Sequence, residues 1–262
     1  MAIHTNPGSS AHKAVNIRSL WNLTTNLNNQ NSEGGDSNMA MDQMLGFRNH
    51  TDGTQAQAWM FKRHKGFDVV SYQGTGSNLT VKHGLGQVPE MIWVKNRGSG
   101  STWQVYHTGA GNTKYGELSG GSAFATSSTR WNNTSPTSSE FYLGSDGNVN
   151  PSGGHCVALL FSSVNGISKV GSYTASDNQT IVTGFQPQWC LFKDRDNHNQ
   201  WTMFDTERGW TNGSQDWGLY LSHTNAHSTS TVGHPVSNGF AFDGDTGETN
   251  QGGKTYLYYA HA

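Results

Sequence analysis

The hydrophobic positions of the chain fall in short runs separated by segments rich in Gly, Asn, Asp and Ser. Within the runs, β-branched and aromatic residues are common, and runs of this kind bounded by turn residues predict β-strands. Residues 91–94 (MIWV) and 190–192 (CLF) are apolar at consecutive positions. Both faces of these two strands should therefore be covered, as in a central strand.

The strand pattern occurs twice along the chain. Residues 91–107 (MIWVKNRGSGSTWQVYH) and 189–205 (WCLFKDRDNHNQWTMFD) share an apolar run, a Lys-x-Arg and a Trp at one spacing. Trp103 and Trp201 lie 98 positions apart, and the similarity continues towards both ends of each segment. We therefore predict two copies of one unit, at residues 66–164 and 165–262, each of about 100 residues, which is a common domain size.

The predicted fold class is all-β, with two tandem antiparallel β-sandwich domains after an extended N-terminal arm. Each copy should contain two antiparallel sheets packed face to face around a core of its own. Residues 1–65 differ from the copies, since they include the polar low-complexity stretch NLTTNLNNQNSEGGDSN and lack the apolar periodicity that a core requires. We expect this segment to serve as an attachment arm that packs on a neighbouring part or subunit.

Composition narrows the possible partners. Charged residues make up 13% of the chain and the net charge is -2, so no strong field attracts nucleic acid. No apolar window is long enough for membrane insertion, and no apolar signal region is present, so we expect synthesis in a cytoplasm. Cys156 and Cys190 are the only cysteines. We expect both to be reduced thiols in the core.

The Lys-x-Arg of each copy lies where the predicted central hairpin ends. We expect Lys95 and Arg97, with Lys193 and Arg195 in the second copy, to emerge into solvent there. Because the motif recurs in copies whose loops differ, an architectural role such as a structural ion pair is favoured over ligand binding.

A search for catalytic chemistry finds little. The sequence has no G-x-S-x-G, P-loop or H-E-x-x-H motif, and its twelve His residues do not pair at metal-ligand spacing. A glycosidase would need two carboxylates facing a cleft. The candidates, Asp205, Glu207 and Asp216, have no acidic counterparts in the first copy, which neither supports nor excludes a site confined to the second. We therefore expect no enzymatic activity, no catalytic residues and no cofactor.

One segment has the composition of a calcium loop. Residues 242–250 (FDGDTGETN) place Asp243, Asp245 and Glu248 close together, whereas the corresponding segment of the first copy has only Asp146. Asp and Gly are also the residues that tight hairpin turns require. A turn without metal is the favoured interpretation, and a bound Ca²⁺ is the alternative.

Aromatic residues in polar loops suggest a binding role. Exposed rings beside Asn side chains suit sugar recognition, in which a ring face meets CH groups and amides bind hydroxyls. The alternative is that each ring closes one end of a sandwich or is buried against another subunit. The candidate glycan-binding residues are Trp131, Asn132, Asn133, Trp210, Asn212 and Trp217.

The first copy resembles a repeated β-domain of tail-fibre and other virion proteins of cyanophages and marine phages. The resemblance lies in residues 67–97 (FDVVSYQGTGSNLTVKHGLGQVPEMIWVKNR), in WQVYH and CVALLF, and in residues 131–154 between them, with AWMFKR as the usual lead-in. It covers residues 59–164 well. The second copy departs from it, because Gln186 replaces a Gly and YLYYA replaces VALLF.

The resemblance implies a bacteriophage structural protein located in the virion and made in the host cytoplasm. We expect a tail fibre or surface appendage involved in host attachment, with other virion proteins as partners, a homotrimeric state and a possible host cell-surface polysaccharide as receptor. The alternatives are a purely structural head-decoration or tail-assembly protein and, third, a polysaccharide-degrading tailspike-like enzyme. The family supplies no catalytic residues to carry over.

Overall fold

The structure is a computed structural model of an all-β chain. It describes residues 2–5, 14–17, 20–24, 57–212, 216–221, 228–230, 232–244 and 249–262. Side chains are described within these ranges from residue 61 onward, except at residues 228–230. Among the described residues, four strands lie before the repeats and form one antiparallel sheet of order β3-β2-β1-β4. They are β1 Ala2–Thr5, β2 Ala14–Ile17, β3 Leu20–Thr24 and β4 Gln57–Met60.

The first copy contains a six-stranded antiparallel sheet, of order β10-β9-β8-β7-β12-β5, and a two-stranded sheet, β11-β6. The strands are short and are separated by the Gly-, Asn- and Ser-rich segments seen in the sequence. Their bounds are β5 Phe67–Gln73, β6 Leu79–Lys82, β7 Met91–Asn96, β8 Gln104–His107, β9 Lys114–Glu117, β10 Ala125–Thr126, β11 Glu140–Leu143 and β12 His155–Phe161.

The second copy repeats this arrangement, with a six-stranded sheet of order β13-β21-β15-β16-β17-β18 and a three-stranded sheet, β14-β20-β19. A 3-10 turn, Thr206–Arg208, follows β16. The strands are β13 Ser168–Thr174, β14 Gln179–Val182, β15 Trp189–Asp194, β16 Thr202–Asp205, β17 Asp216–Tyr220, β18 Ser228–Ser230, β19 His234–Val236, β20 Gly239–Phe242 and β21 Thr255–His261.

The strand register confirms the predicted all-β fold and the hairpin that the two copies share. In the first copy β7 pairs with β8 from Met91 opposite His107, and in the second β15 pairs with β16 from Trp189 opposite Asp205. Lys95 lies opposite Val157 on β12, and Lys193 lies opposite Leu257 on β21. Equivalent residues of the repeat therefore occupy equivalent places in the two sheets.

Three hydrophobic cores organise the described part of the chain. One lies between the two sheets of the first copy, and another lies between the two sheets of the second. The third is shared, because one face of each six-stranded sheet contributes to it. On β7 the residues alternate between cores, with Met91 and Trp93 in the shared core and Ile92 and Val94 in the core of the first copy.

The shared core explains the strands that are apolar on both faces. Each central strand is covered on one side by the small sheet of its own copy and on the other side by the other copy. The expectation that each copy has its own core is confirmed, but the shared core was not foreseen. Trp103 and Trp201 both lie in it, at 0% and 1% exposed. The indole Nε1 of Trp201 donates to the carbonyl of Glu117 at 2.8 Å, across the two copies.

A matched pair of buried asparagines holds the loops of each copy. The amide of Asn150 donates to the carbonyls of Gly144 and Ser77, and that of Asn250 donates to Gly244 and Ser176. A side-chain amide suits this task because its two N–H groups satisfy two carbonyls of otherwise unpaired backbone. The equivalent residues Asn150 and Asn250 lie 100 positions apart in the sequence. Phe141 and Phe240, which are equivalent residues on the small sheets, lie 99 positions apart.

Within the part of the chain described, no helix is long and apolar enough to span a membrane.

Candidate functional site

Trp131 lies in the core of the first copy. Its side chain is 2% exposed, its Nε1 donates to the carbonyl of Lys114 at 3.0 Å, and its ring meets Tyr106 edge-on at 5.8 Å. Asn132 and Asn133 follow with left-handed backbone, at φ 50° and 47°, a conformation that Asn tolerates better than most residues. Asn132 is half-buried and Asn133 is exposed, whereas the indole lies inside.

Trp210 has the corresponding place in the second copy. It is 1% exposed, its Nε1 donates to the carbonyl of Gly233 at 3.0 Å, and its ring packs against Phe204 and Phe240. Tyr106 and Phe204, which contact the two indoles, are equivalent residues of the repeat. Trp131 and Trp210 therefore offer no ring face to a sugar, because each closes the core beneath its small sheet.

Trp217 is the candidate ring that reaches the surface. It lies on β17 and is 40% exposed. Gly209 adjoins it with φ 92°, and a Cβ on that glycine would lie 3.9 Å from Cδ1 of the indole. Asn212 is exposed two residues after the buried Trp210. We call the partly exposed indole, together with the glycine beside it, the Trp217 surface.

The carboxylates considered for catalysis hold backbone in place. Asp205 is 3% exposed and accepts hydrogen bonds from the Arg208 backbone N–H at 2.9 Å and the Arg208 Nε at 2.6 Å, which caps the 3-10 turn. Asp216 is 1% exposed and accepts from the N–H groups of Thr211 and Val232, at 3.3 and 3.1 Å. Burial raises the pKa of the Asp216 carboxyl. Glu207 is exposed within the turn.

The residues considered for calcium are only partly described. Asp243 is exposed, and its Oδ2 lies 3.2 Å from Nδ1 of His234. Asp245 and Glu248 lie outside the described residues. In the first copy, Asp146 forms an ion pair with Arg130, whose guanidinium also stacks on a tyrosine ring. Among the described residues, no three His, Cys, Asp or Glu side chains come together as metal ligands.

The two lysines of the repeated motif are buried, which corrects the expectation that they emerge into solvent. Lys95 and Lys193 are each 0% exposed. Lys193 Nζ donates to the carbonyls of Asp194 at 2.8 Å, Asn197 at 3.2 Å and, from the first copy, Gly121 at 3.2 Å. Burial lowers the pKa of each lysine to about 8.

Lys95 Nζ donates to the carbonyl of Ser101 in the loop that follows it. Both lysines thus bind backbone carbonyls and do not form the expected ion pair. The long apolar stem of Lys allows this, since it crosses the sheet while the ammonium reaches loop carbonyls. Arg195 behaves as expected in part: its guanidinium pairs with Asp196 at 2.7 Å. It also donates weakly to the carbonyl of Gly109 in the first copy, at 3.5 Å.

A cleft of about 260 Å³ lies where the two copies meet, close to the end of β4. Its floor is aromatic, and its rim carries a lysine and two histidines. The lining includes Phe61, Phe67, Tyr259, Lys62, His64 and His261. Phe61 contacts residues of both copies, since its ring lies 5.7 Å from Phe67 and 6.3 Å from Tyr259. The chain therefore enters the repeats at the junction between them.

Fold and side chains together define a duplicated β-sandwich protein in which most buried polar groups hold loops and sheets. The chain belongs to the family described as "Domain of unknown function (DUF7483)", whose profile matches residues 9–262. That match covers both copies and most of the segment before them. Comparison with curated proteins and with solved structures gave no match.

Proposed function

We propose that this protein is a non-enzymatic structural component of a bacteriophage virion, in a tail fibre or surface appendage that takes part in host attachment. Its N-terminal segment would join it to other virion proteins, and three chains would assemble into a homotrimer. The resemblance of residues 59–164 to phage virion domains motivates this proposal. The family match is compatible with it and assigns no activity.

The observation that carries the proposal is the use of the buried polar side chains. Asp205, Asp216 and Lys193 are each at most 3% exposed, and each is bonded to backbone of a neighbouring loop. In an enzyme, some such groups would face a cleft that a substrate can enter. Here they fasten loops to sheets, which suits a protein whose task is to keep its shape.

The Trp217 surface is the proposed point of contact with a host glycan. One partly exposed indole contributes about 1 kcal/mol of stacking, so each site alone would bind weakly. Several copies on one particle would compensate, because linked sites bind with a high effective concentration.

A purely structural role is the second candidate, and two observations favour it. Two of the three proposed sugar-binding indoles are core residues. In addition, Trp189 pairs with Asp205 at the end of β16 and with His261 on β21. Because β17 runs antiparallel to β16, its start lies at this end of the sheet, where Phe61 at the entry from β4 contacts His261. If that end is attached to the virion, the Trp217 surface is partly shielded.

A glycan array probed with the full chain, multimerised on beads, separates the two candidates. We expect binding to a subset of host-type polysaccharides, with the loss of about 1 kcal/mol per site, roughly fivefold, in Trp217→Ala. Val182→Ala removes another exposed apolar side chain, 61% exposed, and is the matched control. Absence of binding at high valency, or equal loss in both variants, would favour the structural role.

The virion location is tested separately, by immunogold labelling of intact phage particles with antibodies against the full chain. Label on the tail or on an appendage supports the proposal, and unlabelled particles contradict it. Release of reducing ends from host polysaccharide that Glu207→Gln abolishes would instead establish the enzymatic alternative.

A further inference from the structure

His107 occupies the boundary between the two copies. It is the last residue of β8 and is 0% exposed. Its Nδ1 accepts a hydrogen bond from the backbone N–H of Gly109 at 3.1 Å, and its Nε2 lies 3.3 Å from the carbonyl of Tyr258 in the second copy. Because a backbone N–H can only donate and a carbonyl can only accept, these partners fix a neutral imidazole with its proton on Nε2.

The corner that follows His107 fits tightly against the second copy. A Cβ on Gly109 would come within 2.8 Å of Cβ of Ser172 and 2.9 Å of Cδ2 of Leu257. The carbonyl of Gly109 lies 3.5 Å from the guanidinium of Arg195. The imidazole therefore links two segments that pack against each other. It is hydrogen-bonded to the turn at Gly109 in its own copy and to strand β21 in the other copy.

We propose that His107 is an acid-sensitive latch, whose protonation at Nδ1 releases the Gly109 corner from the second copy. A proton on Nδ1 would point a second donor at the Gly109 N–H, so the hydrogen bond that shapes the corner could not persist. The imidazolium would also be left buried with one backbone carbonyl as its partner, and a buried charge in that situation is strongly disfavoured.

The charged groups on the surrounding elements do not supply a counter-ion. Arg195 pairs with Asp196, and Lys114 lies 3.8 Å from the same carboxylate. Glu90, which precedes β7, accepts from the backbone N–H of Ser163 at 2.5 Å. On β21 the facing group is the backbone of Tyr258, whose phenol has its pKa raised by burial and stays neutral. None of these groups is bonded to the imidazole.

The direction of the pH effect follows from the burial. Burial lowers the pKa of His107 to about 4, and the bond to the Tyr258 carbonyl offsets this only in part. The folded state thus binds this proton less readily than the unfolded chain, whose histidine has a pKa near 6.5. The stabilisation by neutral His107 is present above pH 6.5 and is lost as the pH falls towards 4, by roughly 300-fold in the folding equilibrium constant.

Position 107 differs between the copies, so the latch acts on one side. The equivalent residue is Asp205, which caps the 3-10 turn and pairs with Arg208. Protonation of the imidazole would therefore loosen the His107 corner of the first copy, whereas the second copy has no imidazole at this position.

The test combines a variant with a direct measurement on the unmodified chain. His107→Gln retains a donor for the Tyr258 carbonyl and cannot titrate, and exposed His155→Gln is the matched control. From urea titrations at pH 7 and pH 4.5, we expect the wild type and His155→Gln to lose about 60-fold more in folding equilibrium constant than His107→Gln. Equal acid dependence of wild type and His107→Gln would refute the latch.

Imidazole nitrogen shifts and Gly109 amide exchange, followed by NMR in the wild-type chain, give the second arm, which does not require that the variant folds. Support would be an unprotonated Nδ1 down to about pH 4 and loss of Gly109 amide protection together with its protonation. An imidazole that titrates near pH 6.5, or a Gly109 amide that stays protected after protonation, would overturn the proposal.

Discussion

Two adjacent leucines on β12 test whether the shared core joins the copies into one folding unit. Leu159 lies in the shared core and Leu160 in the core of the first copy, and both are 0% exposed. Truncating either to Ala removes the same atoms and leaves a cavity, at a cost of about 3 kcal/mol. With an m-value of about 3 kcal/mol/M, the urea midpoint should fall by roughly 1 M.

The shared core decides how that loss is distributed. If it couples the copies, both variants should destabilise residues 66–164 and 165–262 by the same amount, because neither half unfolds without exposing the other's apolar face. Native-state hydrogen exchange read by mass spectrometry at increasing urea reports the two halves separately. The reasoning is wrong if the opening free energy of the second half stays at its wild-type value in Leu159→Ala and Leu160→Ala.

Two further predictions concern the contacts between the copies. Gly109→Ala should lower the free energy of unfolding by about 1–3 kcal/mol, measured by urea unfolding, because the new Cβ would overlap Ser172 and Leu257. The control Gly147→Ala, with open space around it, should lie within about 0.5 kcal/mol of wild type. Equal effects of the two substitutions would contradict the tight fit. For Lys193, a folded pKa of about 8 below the unfolded value of 10.5 means that the folded state binds fewer protons, so stability should rise with pH in this window. Relative to Lys193→Met, the wild type should gain about 2 kcal/mol between pH 8 and 9.5, and parallel pH profiles of the two proteins would count against a buried charge.

The strands and the repeat were predictable because they depend on local sequence. Alternation, turn residues and the 98-residue offset located the central hairpins, and the apolar runs at residues 91–94 and 190–192 indicated cover on both faces. The pattern could not say what provides the cover. A strand covered by a second copy and a strand covered by a second small sheet have the same run of apolar residues, because either cover excludes water from the strand.

The errors at individual side chains have a common physical origin. Lys95 and Lys193 precede polar loops, which suggested solvent, but a lysine stem can cross a buried strand and end among loop carbonyls. Trp131 and Trp210 stand among Gly, Ser and Asn, which correctly predicted irregular backbone. Burial of a ring depends on what the loop folds over, and that is set by residues distant in sequence.

The two core-closing indoles carry a consequence for how such a protein can diversify. Trp131, whose ring contacts Tyr106, follows β10 in the chain. Trp210, whose ring contacts Phe204, follows β16 and its 3-10 turn. The fold accordingly requires one large aromatic side chain at that position, and different connections of the backbone can supply it. Insertions, deletions and new surface residues can therefore accumulate in these connections without destabilising the sheets that carry them.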